Sequence, residues 1–504
     1  MNCMKMSLLK TFAFLLVLAV MLSVFSACGT DTEKDNPDTT TETTGGEEDT
    51  KEEEETEYPL GIDRENNENE EIVILMPSTR TIEIAKESSS ERVAQAMYER
   101  NLDAEEYLGI LIEINDTQPG DWSNRTAYND LIRTDVTNEK KLDIITAQIS
   151  CSFMKCAQEG LFADLNQVNG FDFEAPWWIP DMTEEYGSNG KLYGAIGDLS
   201  MTMYSQLSVI YFNADLSKNY RLDSPYDMVA ANTWTLENMI ANAKRVEETV
   251  DGNYDPLTNM MGVLSLHTAN RNWLTSLDID LVDRNADTGE VSVPKAPNEK
   301  LIDVFDLFYD TFENENEFYV HTKVAEQCQA FMNGTVLYCV TSLDSVQTFR
   351  GMEDDYGVVP MPKYNDKQEK FLTAVSQDSV MWFLPATSEN KELSAKLMEI
   401  LAYFGKKDVV PEYYEVSLGF TYARDPNTME MLAIIRDGAI MRWESIFDGA
   451  FTPSIWNCLQ MTDSFRHPVT GKETTYHGSN VSTWWAANQM TWSIGVAQLY
   501  SKLS

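Results

Sequence analysis

The sequence predicts an α/β fold spread over more than one domain, and three observations predict it. Short apolar runs of strand character alternate with stretches whose apolar residues recur at helical spacing, the pattern of βαβ units and parallel sheets covered on both faces. The chain has 504 residues, well beyond the ~100–200 that one domain usually holds. Its residues are 43% hydrophobic and 11% aromatic, enough to fill packed cores and to exclude wholesale disorder.

The elements follow in order. Ile72–Met76 is a buried strand ended by Pro77. Ser88-Ser89-Ser90-Glu91 opens a helix that carries Val93, Met97, Ala104 and Leu108 on one face and stops at Gly109. Ile110–Ile114 is the next strand, and Arg125–Val136 an amphipathic helix with Tyr128, Leu131 and Ile132 inward. Leu142–Thr146 is a third strand, followed by a helix through Phe153 and Leu161. Further strands are predicted at 207–212, 334–340 and 356–359, with an extended stretch at 372–384. Helices are predicted at 233–246, 298–312, 324–332 and along Leu393–Phe404, and the aromatic segment after Tyr413 is helical. In open α/β sheets ligands bind beyond the carboxyl ends of strands, so the loops starting at Ser78, Gln148 and Asp198 are the candidate ligand loops.

The N-terminus has the layout of an export signal. Lys5 and Lys10 precede the apolar run Thr11–Val24, which is shorter than the ~20 residues of a spanning helix. Ser26-Ala27-Cys28 ends it in the manner of a bacterial lipoprotein box, so residues 1–27 are expected to be cleaved and Cys28 lipidated. Residues 28–71 form the expected linker. From 29 to 71 they carry 18 acidic and 3 basic side chains with few large apolar residues, a composition that stays extended and disordered. The expected location is the extracytoplasmic face of the cell membrane, held by the lipid.

The formal net charge is −43, which repels phosphate backbones and excludes nucleic acid as a partner. His267, His321, His467 and His477 lack metal-ligand spacing, and no recognisable catalytic or phosphate-binding motif is present. The expectation is therefore no catalytic residue, no metal and no cofactor. Asp251–Asp255 begins like a calcium loop, but Pro256 stands in place of the turn glycine and Gly262 in place of the bidentate acid, so it reads as an acidic turn. Beyond Cys3 and Cys28, five cysteines remain, an odd number that does not form a complete disulfide framework and reads as buried thiols.

Several stretches in order resemble the family 1 extracellular solute-binding proteins of ABC importers, whose members bind maltodextrins and other oligosaccharides. They are Asp143-Ile144-Ile145, Gly190-Lys191-Leu192-Tyr193-Gly194, Tyr211–Leu216, Ala330–Val336 and Tyr356–Pro362, followed by the helix start Ser388–Glu392. The resemblance implies a two-lobe periplasmic-binding-protein-like α/β fold with a hinge and an interlobe cleft. It implies lobe I over 72–203 and again over 375–440, lobe II over 204–374, and a C-terminal helical aromatic segment over 441–504. The implied function is capture of a small solute, such as a sugar or oligosaccharide, by a monomer that delivers it to permease subunits. Other readings are a binder of peptides or another solute, a surface-anchored carbohydrate-active enzyme, and an adhesin or signalling partner.

Sugars present apolar faces and rings of hydroxyls, so a sugar cleft needs aromatic platforms beside carboxylates and amides. The adjacent Trp177 and Trp178 are the leading platform. Asp198 follows the Gly-Lys-Leu-Tyr hairpin before the first interlobe crossing, where the resemblance implies an acidic ligand contact. Gln148 and Arg80 stand at strand ends, Asp344 ends a strand of the second lobe, and Trp456 and Trp484 are candidates for its aromatic wall.

Overall fold

The structure is a computed structural model that describes residues 60–80, 82–179, 187–188, 190–246, 257–266, 269–285, 288–314, 318–321, 324–414, 427–459, 465–466, 473–474 and 480–503. The signal segment, Cys28, the linker up to 59, the Asp251–Asp255 turn and all the histidines but His321 lie outside the described residues.

In chain order the sheet strands are β1 (Glu70–Leu75), β2 (Ile110–Asn115), β3 (Ile144–Gln148), β4 (Ser208–Asn213), β5 (Met261–Leu266), β6 (Phe318–His321), β7 (Val336–Ser342), β8 (Tyr356–Pro360) and β9 (Val380–Phe383). The helices that matter below are α1 (Arg92–Leu108), α2 (Arg125–Thr134), α3 (Asn270–Ser276), α4 (Lys391–Phe404), α5 (Asn427–Asp437) and α6 (Val481–Leu503). Two sheets carry two lobes. Lobe I has the order β9-β3-β1-β2, and lobe II the order β8-β4-β7-β5-β6.

Both sheets are mixed, which corrects the expectation of parallel sheets. In lobe I the three βαβ-connected strands run parallel, while β9 enters from the other lobe and pairs antiparallel with β3, Val380 opposite Gln148. In lobe II β5 is parallel to β6 and β7, whereas β4 is antiparallel to β7 and β8. Local signals were direct: the Glu91 side chain caps α1 by accepting from Ala94 N, and Gly109 ends it with φ 63°, a conformation that costs glycine nothing.

Two boundaries differ from the sequence reading. The linker's last residues are docked: Glu65 N and Asn67 N donate to the carbonyls of Tyr107 and Leu108, Lys396 pairs with Glu65 at 2.5 Å, and Glu70 begins β1. Terminal carbonyls of α1 need donors, and this segment supplies them. The return segment is also not wholly lobe I, because α5 packs on β8 of lobe II and Tyr226 and Thr428 share a hydrogen bond at 3.3 Å. Thr373–Ala374 and Ala439–Ile440 then pair in parallel beside the crossings. The cysteines 151, 156, 328, 339 and 458 are free and buried.

The crossings are laced around one buried acid. Glu83 Oε1 accepts from Thr202 N at 2.7 Å and Ser200 Oγ at 3.3 Å, and Arg100 Nη1 donates to Leu199 O at 3.2 Å. Ser200 Oγ donates to Val380 O, and Val380 N donates to Thr202 Oγ1 at 2.8 Å, so both connecting strands share one network. Burial pushes the Glu83 carboxyl up and lowers the Arg100 guanidinium to about 10, the proximity of each partly offsetting the other's shift.

Candidate functional site

Side chains on both lobes gather where strand carboxyl ends meet. Arg80 follows β1. Asp121, Trp122 and Arg125 follow β2, and Ser150 follows β3 beside Asp378. From lobe II, Asp344 follows β7 and Arg271 follows β5, whose carboxyl ends point the same way because the two strands are parallel.

Arg80 and Asp344 link the lobes electrostatically. Asp344 accepts from Gln206 Nε2 at 2.7 Å and from Ser342 Oγ at 2.5 Å. Burial raises its pKa, while those donors and the charge of Arg80 pull it down. Arg80 also faces Asp121, and its buried Nε has no acceptor among the described residues. A buried guanidinium N–H without an acceptor is costly, and a ligand oxygen would satisfy it.

Trp122 is the large aromatic that sequence reasoning missed. It is 61% exposed, and the Arg125 guanidinium lies over its ring at 3.9 Å while donating to Trp122 O. One face of the indole is thus braced by a cation, which leaves the other for a ligand. The strand-end rule that singled out the loops after β1 and β3 applies equally to the loop after β2, so the signal was present.

The expected platform is corrected. Trp177 and Trp178 are 2% and 4% exposed, and both indole N–H groups donate to Glu399 on α4, at 2.7 and 3.0 Å. Asp172 N donates to the same carboxylate at 3.2 Å. A single buried acid satisfies both indoles, which lets adjacent tryptophans enter one core. Asp198 is likewise internal: it accepts from Tyr204 O–H inside the first crossing, and burial raises its carboxyl to about 6 against the pull of Tyr204, Lys406 and Arg436. It is buried within the hinge instead of lining an open cleft.

Gln148 ends β3 but is buried, donating to Asp378 O at 3.2 Å and accepting from the Cys151 thiol at 3.3 Å. It therefore positions the Asp378 segment. Trp456 is 3% exposed and donates to Glu444 O at 3.4 Å, with Arg271 5.9 Å from its ring. It is a support and not an open wall. Trp484 is half-buried on α6 against Trp492, with 5.0 Å between ring centroids, as part of a helical aromatic stripe. Among the described residues no group of three or more metal-binding side chains assembles.

The sequence profile described as bacterial extracellular solute-binding protein matches residues 123–423. The chain belongs to this family. No curated protein sequence matches this solute-binding protein significantly. Its fold is similar to that of a cyclo/maltodextrin-binding protein complexed with maltotetraose, with a TM-score of 0.52 at 12% identity, over 86% of this chain and 97% of that one. Lower scores are found for two other structures, each over 86% of this chain. An ABC substrate-binding protein from Listeria monocytogenes in complex with cycloalternan has a TM-score of 0.46 at 13% identity over 99% of its length. An ABC transporter solute-binding protein from Thermotoga lettingae bound with α-D-tagatose has 0.48 at 13% identity over 100% of its length. No helix among the described residues is long and apolar enough to cross a membrane.

Proposed function

We propose that this solute-binding protein is the lipid-anchored, extracytoplasmic receptor of an ABC importer and that its solute is a carbohydrate. The observation that carries the sugar reading is Trp122, an exposed indole braced by Arg125 at a strand end. Its chain neighbour Asp121 faces the Arg80 guanidinium, which faces Asp344 of the other lobe, itself bonded to Gln206, so groups that pair with hydroxyls lie on both lobes. An aromatic face takes the apolar side of a pyranose, and the charged and amide groups take its rim of hydroxyls. The similar fold of a maltodextrin-binding protein is consistent with this chemistry.

Binding works by closure. A ligand that touches Arg80 and Trp122 on lobe I and Asp344 on lobe II gains contacts only when the lobes approach, so it shifts the population toward the closed form. That form is what monomeric receptor presents to the permease subunits. Nothing in the cycle requires turnover, cofactor or metal.

Calorimetry of the protein against sugars and peptides tests the reading. Saturable heat with a sugar is expected; heat with peptides alone overturns the carbohydrate assignment, and release of reducing sugar reveals an enzyme instead. Anchoring is tested separately by Cys28→Ser, which is expected to move the protein out of the membrane fraction. Unchanged fractionation would show that the apolar run Thr11–Val24 remains as the anchor.

A further inference from the structure

The segment from Trp443 to Trp456 enters between the lobes at one end of the row of strand ends. It is pinned to lobe I and to the returning crossing: Gln377 Nε2 donates to Ser445 O, and Phe447 meets Phe153 edge-on at 5.3 Å. It is pinned to lobe II by Arg442, which bonds Asp278 at 2.7 Å and Asp280 at 2.8 Å. Trp443, Glu444, Phe447 and Trp456 are all buried, at 0–3% exposure. Helix α6 locks the segment from behind, with Gly495 against Ala450 O and Trp492 Nε1 donating to Pro453 O at 2.7 Å. A Cβ at Gly495 would lie 1.9 Å from that carbonyl, so only glycine permits this approach.

The position of this wedge follows from the strand order. Lobe I runs β9-β3-β1-β2. The wedge contacts residues that follow β3 and precede β9, while Trp122 follows β2 at the opposite edge and is open to solvent. One end of the cleft is therefore filled by buried protein joined to both lobes, and the other carries the exposed indole.

Arg271 stands at the filled end. It pairs with Asp448 of the wedge at a loose 3.8 Å and faces Asp378 of the crossing. Its Nε is buried and finds no acceptor among the described residues. Alternating carboxylate, guanidinium and carboxylate groups present acceptor, donor and acceptor in turn, the set that vicinal hydroxyls require.

We propose that the cleft is blind at the β3–β9 end, where Arg271, Asp378 and Asp448 bind the terminal unit of a saccharide, and that the rest of the chain leaves past Trp122. The inference rests on the carbohydrate reading and sharpens it: the protein recognises a chain end, not an internal stretch. A cyclic saccharide has no end to insert, and a linear one blocked at the inserted end meets the wedge.

The test is calorimetry of the full chain in detergent against linear oligosaccharides of increasing length. Each is compared with a derivative capped at the reducing end, a derivative capped at the non-reducing end, and a cyclic counterpart of the same linkage. The expected result is that one cap weakens binding about tenfold or more, the other cap is tolerated, and the cyclic form does not bind. Equal tolerance of both caps, or tight cyclic binding, overturns the blind end while leaving the carbohydrate reading intact. Absence of binding by every sugar removes both. Arg271→Gln, checked by its melting curve, is expected to weaken binding of the uncapped linear sugar about tenfold while the wedge keeps its discrimination between the two caps; wild-type affinity in a folded variant overturns the role of Arg271.

Discussion

Trp122 and Trp178 stand in two loops of the same lobe, 61% and 4% exposed. The loop of Trp178 holds two adjacent indoles and lies before a hairpin, the kind of place where an open platform is easily imagined. The decisive difference is an acceptor that comes from far along the chain. Glu399 reaches both indole N–H groups from α4, so burying them leaves no donor unsatisfied. Among the described residues Trp122 has no such partner; its ring is braced from one side by Arg125, three residues on. For this pair the acceptor supplied by Glu399 goes with burial, although Trp382 and Trp443 are buried with no indole acceptor among the described residues, so the acceptor favours an inward face without being required for it.

The largest effect that can break this contrast is on stability. Trp177→Ala should cost about 3–5 kcal/mol as a large-to-small core change. Glu399→Ala should cost about 3 kcal/mol or more, because three N–H donors lose their acceptor at roughly 1–3 kcal/mol each. Denaturant unfolding checks both. Unchanged stability with lost ligand affinity would return the Trp177–Trp178 pair to the cleft.

A second effect depends on pH. Burial pushes the Glu399 carboxyl up to about 7, although its three donors pull the other way. The folded state then holds a proton that the unfolded state releases, so stability is greatest below the unfolded pKa and falls as pH rises from about 4.3 toward 7. The whole span is worth at most about 4 kcal/mol. Melting curves across this range should flatten in Glu399→Gln and keep their slope in Trp122→Ala. An unchanged slope in Glu399→Gln would mean that the donors hold the carboxylate ionised throughout.

The smallest effect sharpens the other half of the comparison. Trp122→Ala should change stability by no more than about 0.5 kcal/mol, as an exposed substitution does, while weakening sugar binding about tenfold. Arg80→Ala should weaken binding by a similar factor with little change in melting temperature. Calorimetry beside thermal melting separates the two quantities, and wild-type affinity in Trp122→Ala would remove it from the site.

Much of the framework was determined by sequence alone. Apolar runs set the strands of lobe I, Glu91 and Gly109 bounded α1 almost to the residue, and the ordered stretches from Asp143 to Pro362 pointed to the two-lobe family. These features are local: a cap, a turn or a buried strand is written in a few neighbouring residues. The loop positions of Arg80 and Asp344 were legible for the same reason, as each lies in the loop that follows a strand. What tertiary structure alone decided is which side chains meet across hundreds of residues. Glu399 with Trp177 and Glu83 with Thr202 meet across 222 and 119 residues, and Asp198 is covered by Gly405 from the far side of the returning crossing. A buried polar group takes whichever partner the fold brings within about 3 Å, and no periodicity in the chain announces that partner in advance.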